Sequence, residues 1–295
     1  QFAHEQRIEP YEVVDFSANI NPLGPSQRGL DALNAQLRYI SHYPDATNDD
    51  VLNAIADTYG MDKYQIIVGN GAAELLYAIC RLPGYTGAFV PAPGFSEYKE
   101  ALKASKIPVR DIFYRPREDD NGKPYFEVPY LALETFAAEL KGQDGRIIVF
   151  LGNPNNPDGT LLDKDHIRTV ASMLKDANSL LVIDESFIDF VGNDPLQNNE
   201  HSMRSLVNEF DNIIVVHSFT KFYAVPGLRI GAAFTNKTLI TQLQQYIPSW
   251  SVNTLAQAYT KAALNDVDYI KRTKQELNEE REFMYNALDA IEGIT

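Results

Sequence analysis

The chain has 295 residues, 44% of them hydrophobic, enough for one large or two ordinary domains with a proper core. A formal charge of −14 argues against a general nucleic-acid surface, because phosphate backbones are held by clustered Lys and Arg. The single cysteine, Cys80, excludes an internal disulfide framework and a multi-cysteine zinc site, and no apolar run approaches the ~20 residues of a membrane span.

Residues 1 to 30 carry Pro10, Pro22 and Pro25 and little periodicity, which predicts an extended arm. The first sixteen residues are polar and acidic rather than signal-like, so a soluble, cytoplasmic protein is expected, with Cys80 as a core filler. Short apolar runs then alternate with stretches of helical period. The runs are Gly87 to Val90, Ile147 to Leu151, Leu180 to Ile183, Ile213 to Val216 and Ile230 to Phe234. Helices are expected over Ala72 to Arg81, Ser96 to Ala104, Asp163 to Ala177 and Lys237 to Tyr246. The alternation predicts an α/β fold with a largely parallel, buried sheet across a domain at 31–265. From Asp266 one long charged helix runs through Ala290, read as the start of a small domain at 266–295 whose remainder is expected to be missing.

In such sheets ligands collect at the carboxyl ends of the strands, and the chemistry-bearing motifs all fall there. In VGNGAAELL, residues 68 to 76, a strand passes through Gly69 and Gly71 into a helix, so the free N–H groups of Gly71, Ala72 and Ala73 can face a phosphate. The segment fails as a dinucleotide fingerprint because its third glycine is absent. A helix terminus supplies only ~0.3 to 2 kcal/mol toward an anion, so a charged partner is required. In PAPGFSEY, Phe95 stands where an aromatic face can stack on a planar ring or simply fill the core. The turn GNPNNPDG, residues 152 to 159, can display the Asn156 amide to a ring hydroxyl, although alone it reads as an ordinary Asn/Pro turn.

Asp184 closes the apolar strand of LLVIDESFIDF, where a carboxylate needs a cationic or hydrogen-bonding partner. A protonated pyridine nitrogen would serve; a helix N-cap is the plain alternative. In HSFTKFYAVPGLRIG, Ser218, Thr220, Lys221 and Arg229 lie within twelve positions directly after a strand. A lysine whose pKa is depressed by burial is a nucleophile that forms a Schiff base with a carbonyl, and Arg229, Ser218 and Thr220 can complete a phosphate cup. Together these residues predict a pyridoxal 5'-phosphate enzyme.

Three rival readings are weaker. Ser218 to Lys221 matches the S-x-x-K of penicillin-recognising enzymes, but S-D-N and K-T-G are absent. A Ser-His-Asp hydrolase lacks its G-x-S-x-G elbow, and the five histidines show no metal spacing. A protein that binds the cofactor without turnover is separable only by assay.

The segments DFSANINPLGPS (15–26), NPNNPDG (153–159), VIDESFIDF (182–190), SFTKFYAVPGLRIG (218–231) and WSVN (250–253) resemble the fold-type I, class I/II aminotransferase superfamily. Within it the likeness is strongest to the threonine-phosphate decarboxylases of cobalamin biosynthesis, with the histidinol-phosphate aminotransferases as siblings. The resemblance implies that Lys221 carries the cofactor, Asp184 pairs with its pyridine nitrogen, Asn156 meets the ring oxygen and Ser218 with Arg229 bind its phosphate. It further implies that Asn19 contacts a phosphorylated amino-acid substrate, and that Tyr43 of the HYPD turn reaches the neighbouring subunit's cofactor in a homodimer. Phe187 stands where the sibling enzymes usually have tyrosine, which together with SANINPLG and WSVN favours decarboxylation of an O-phospho-threonine or O-phospho-serine type of substrate over transamination. Asp158 replaces a common threonine, and the family's N-terminal His-Gly pair and C-terminal arginines have no counterpart.

Overall fold

The computed structural model describes residues 5–9, 13, 18–120, 122–140, 145–192 and 199–293, which leaves residues 15–17 of the first family-like segment outside the described part. Nine strands occur among these residues. Seven form one sheet in the order β1 (Ile66–Gly69), β9 (Gly231–Phe234), β8 (Ile213–Ser218), β7 (Leu180–Asp184), β6 (Arg146–Gly152), β2 (Tyr85–Ala92) and β3 (Val109–Phe113). The remaining pair, β4 (Arg115–Glu118) and β5 (Pro124–Glu127), makes a separate antiparallel hairpin that was not expected from its charged, alternating sequence.

The sheet is mostly parallel, as its apolar runs predict, from β3 through β2, β6 and β7 to β8. Strand β9 runs antiparallel to both β8 and β1. The twelve residues between β8 and β9, 219–230, are at the lower limit for a parallel crossover and hold only a four-residue helix and a three-residue 3-10 turn, not the longer helix such a return usually lays on the sheet.

Side chains alternate across the central strands, so both faces are buried. Val149, Leu151, Leu181, Ile183, Ile213 and Val215 point into one core, while Ile148, Phe150, Leu180, Val182, Ile214 and Val216 point into the other. Helices cover both sides. Four of them match their expected positions to within two residues at each end: α3 (Gly71–Cys80), α4 (Glu97–Ala104), α6 (Lys164–Asp176) and α8 (Lys237–Gln244). Asp163 caps α6 by accepting from the N–H groups of Asp165 and His166, and Asn236 caps α8 through Leu239 N. The sequence reading did not single out α1 (Gln27–Gln36), α2 (Asp49–Tyr59), α5 (Tyr130–Leu140), the four-residue α7 (Phe219–Phe222) or α9 (Thr254–Leu264).

The long helix α10 (Val267–Asp289) ends one residue before its expected limit. Its first turns are anchored, with Tyr269, Thr273 and Lys274 buried, whereas Phe283, Tyr285 and Leu288 are exposed. The expected arm also ends earlier than predicted. Helix α1 starts at Gln27, Ser26 is fully buried as its N-cap, and Asn21 is buried beneath α10. Among the described residues no helix is long and apolar enough to cross a membrane.

Candidate active site

Because β1, β2, β6, β7 and β8 share one direction, their carboxyl ends deliver Gly71, Phe95, Asn156, Asp184 and Lys221 to the same edge of the sheet. A narrow cleft of about 60 Å³ lies there, lined by Phe95, Asn156, Asp184, Phe187 and Lys221.

Asp184 is buried at the end of β7 and is held from two sides. Its Oδ1 accepts from Ser186 N at 2.9 Å and its Oδ2 from the Tyr98 hydroxyl at 2.9 Å. The neighbouring Glu185 is sequestered instead. Its carboxylate accepts from Asn153 Nδ2 (3.0 Å), Met203 N (2.6 Å) and Ser202 Oγ (2.6 Å), and pairs with the buried Arg204 at 3.4 Å. Of two adjacent acids, one ties loops together and the other faces the cleft.

The Asn/Pro loop shows the same division of labour. Asn153 and Asn155 are buried, the former with both ends of its amide engaged and the latter donating to Pro93 O (3.0 Å) and Asp158 Oδ2 (2.7 Å). Asp158 also accepts from Thr160 N at 2.9 Å, so the residue that departs from the family pattern closes the turn. Among the described residues no hydrogen bond holds the Asn156 amide, which lines the cleft.

Lys221 is half-buried on α7. Burial holds its amine below the ordinary lysine value of 10.5, the Arg229 guanidinium depresses it further, and the Asp184 carboxylate opposes both. Arg229 adopts a left-handed backbone (φ 56°) that turns it toward the start of α3. There Gly71, at φ +79°, leaves the room: a Cβ on it would stand 2.8 Å from Arg229 Cζ. Gly231 makes a second close approach, since a Cβ there would meet Ala72 N at 2.5 Å. The α3 amides of Gly71, Ala72 and Ala73 have no side-chain cap from Asn70. Ser218 and Thr220 are buried, with their hydroxyls 2.8 Å apart. Ser218 both ends β8 and caps α7, so the S-x-x-K spacing does open a helix, though one of four residues.

The donor set fits pyridoxal phosphate. It offers an amine held below its ordinary range for the aldehyde, a buried carboxylate for the ring nitrogen and an unengaged amide for the ring oxygen. Uncapped helix amides, a guanidinium and two hydroxyls stand ready for the phosphate. Phe95 lines the cleft with its ring edge-on to Tyr98 (centroids 5.6 Å apart).

Past Pro154, Asn156 and Phe187 the cleft opens into a second one of about 400 Å³, which Asn19 lines. Tyr43 lines neither. It is 81% exposed and packs on Trp250, with ring centroids 4.9 Å apart. The rest of the WSVN segment braces the scaffold: Ser251 Oγ donates to Glu74, and Asn253 caps α9 while donating to Leu228 O at 3.0 Å. Sequence reasoning missed Tyr98, whose spacing with Ala101 and Leu102 reads as an ordinary buried helix face. It also missed Arg281 of α10, which lines the second cleft and carries no motif.

The pattern of the class I and II aminotransferases matches residues 11–295. The chain is 34% identical over 97% of its length to an adenosylcobalamin biosynthesis bifunctional protein of Leptospira interrogans, of which it spans 31%. It is 32% identical over 98% of its length to the threonine-phosphate decarboxylase of Salmonella typhimurium, covering 74% of that protein. Among solved structures, the histidinol-phosphate aminotransferase of Clostridium acetobutylicum superposes with a TM-score of 0.81 at 25% identity, over 95% of this chain and 78% of that one. With its sheet, cleft and family pattern in agreement, the chain belongs to the class I and II aminotransferases, a family of enzymes that depend on pyridoxal 5'-phosphate.

Proposed function

We propose that this chain decarboxylates a phosphorylated amino acid of the O-phospho-threonine or O-phospho-serine type. The observation that carries the reading is the joining of two clefts at Asn156 and Phe187, one lined by Lys221 and Asp184, the other large enough for an amino acid bearing a phosphate. The decarboxylase named among the relatives supports it, as does Phe187, which gives the junction an apolar ring.

Pyridoxal phosphate supplies, when bound, the electron sink for a carbanion at the substrate α-carbon. Asp184, steadied by Tyr98 and Ser186, would hold the ring nitrogen protonated. Asn156 would bind the ring oxygen, Phe95 would stack on the ring face, and Arg229, Ser218, Thr220 and the α3 amides would bind the phosphate. Lys221 Nζ would hold the aldehyde and is the group placed to deliver a proton to the substrate α-carbon. Asn19 orients the substrate at the junction. Orientation of the substrate by these side chains would select which bond reacts.

The enzyme acts as a cytoplasmic homodimer. Tyr43 and Trp250 form an exposed aromatic pair of the kind that a second copy covers, and Tyr43 reaches the partner's cofactor.

The test is incubation of the holoprotein with O-phospho-threonine and O-phospho-serine, following carbon dioxide and keto acid separately. Carbon dioxide released without an amino acceptor supports the reading. Keto acid formed only with a 2-oxo acid present replaces it with transamination, and neither product, despite bound cofactor, points to a silent binder.

A further inference from the structure

Any substrate of the proposed kind brings a phosphate into a protein of formal charge −14, so its distal end must meet a local cation. The cations near the joined clefts are few, and most have other partners. Lys221 provides the reacting amine. Arg229 lies against Gly71 at the start of α3, where the cofactor phosphate belongs. Lys274 is buried, and its ammonium donates to the carbonyls of Val191 (2.9 Å) and Gly192 (3.1 Å).

Arg281 is different. It follows Lys274 by seven residues on α10, two helical turns or about 10 Å along the same face. With Leu277, one turn before it, it lines the second cleft, as Asn156 and Pro157 do. Helix α10 holds Glu276, Glu279, Glu280 and Glu282, yet none stands three or four residues from Arg281, where side chains on one helix face meet. Those positions are Leu277, Asn278, Met284 and Tyr285. Among the described residues no carboxylate pairs with it; Nη2 donates to Asn278 Oδ1 at 2.9 Å. An acidic helix thus keeps a guanidinium free of its own acids and sets it on the wall of the cleft that adjoins Lys221.

We infer that Arg281 is the specificity-determining residue that receives the substrate's phosphate, deepening the proposed reading and resting on it. A guanidinium suits this role because its planar fork offers parallel N–H donors to phosphate oxygens. The substrate then spans the junction, amine toward Lys221 and phosphate toward α10.

Isothermal titration of the holoenzyme with n-propyl phosphate, and separately with propionate, isolates the phosphate from the carboxylate without turnover. R281Q is expected to weaken propyl phosphate at least tenfold while leaving propionate within twofold, with cofactor absorbance unchanged. R281K, which keeps the charge but loses the fork, falls between the two and serves if R281Q does not fold. Equal propyl phosphate affinity in wild type and either variant overturns the inference, as does a loss confined to propionate, which would make Arg281 a carboxylate site. Absence of carbon dioxide from phosphorylated amino acids in the wild type overturns the reading itself, whatever the titrations give.

Discussion

The Tyr98 hydroxyl donates to Asp184 Oδ2 at 2.9 Å, while the Tyr98 ring stacks on Phe150 at a centroid distance of 5.2 Å. A phenol from α4 therefore aims the carboxylate at the end of β7. Burial pushes the Tyr98 phenol well above its ordinary pKa and the nearby Asp184 charge adds to this, so it stays a donor throughout the working range.

Replacing Tyr98→Phe keeps the stacking and removes that donor. A hydrogen bond to a charged group contributes about 1.5–3 kcal/mol. Affinity for pyridoxal phosphate is expected to fall roughly 10-fold or more by the same energy scale, with little change in melting temperature. Fluorescence titration of the apoprotein checks this, and wild-type affinity in the variant would show that Ser186 N alone suffices.

The Lys221 amine sits low because of burial first and the Arg229 charge second. Removing the cation with Arg229→Gln makes the ammonium easier to keep, so the amine deprotonates at higher pH. Labelling of Lys221 by pyridoxal, which lacks the phosphate that Arg229 would bind, should begin at higher pH in the variant than in the wild type. Peptide mapping after borohydride reduction reads it directly, and Lys221→Ala should take no label at that position.

At Gly231 the added methyl of an alanine would press on the backbone nitrogen of Ala72, which has no flexible end to yield. Gly231→Ala is expected to cost about 1–3 kcal/mol as an overpacking change. It should also weaken cofactor binding by moving β9 off the start of α3. Thermal unfolding and cofactor titration test the two effects separately.

Beneath the site, Asp189 Oδ2 accepts from the Tyr59 hydroxyl at 2.8 Å and lies 3.0 Å from His217 Nε2, all three buried. Burial works to raise the Asp189 carboxyl, but the His217 contact, the Arg204 charge and the Tyr59 bond together hold it below its ordinary value of 3.8. A depressed carboxyl stabilises the fold above its unfolded pKa, and that contribution is lost as pH falls through the lower folded value. Asp189→Asn should therefore destabilise by about 3 kcal/mol near neutrality, the scale of breaking a buried pair. The gap to wild type should narrow as the pH falls below about 4. Denaturant unfolding at several pH values measures both.

Much of the scaffold was legible because parallel, doubly buried strands read as short apolar runs. The motifs after Gly69, Leu151, Ile183 and Val216 then fell together once those runs were laid side by side. The direction of β9 was not, since an apolar run looks the same in either orientation; Pro226 and Gly227, which break any crossover helix in the twelve-residue β8–β9 link, were the available clue. Tyr98 and Arg281 stayed hidden for a different reason. Each gains its role from a partner or cleft wall distant in sequence, and each looks locally like an ordinary helix residue. Asp158 joined them, its purpose appearing only when the turn it closes could be seen.

The buried Asn21 donates from its backbone to Lys221 O at 3.1 Å and from its side chain to Phe222 O at 2.8 Å and Thr273 Oγ1 at 2.9 Å. One asparagine therefore latches the segment bearing Asn19, the turn bearing the nucleophile and the helix bearing Arg281. Prying any one of them loose slackens the other two, so the mouth of the pocket and its reactive amine answer to a common hinge pin.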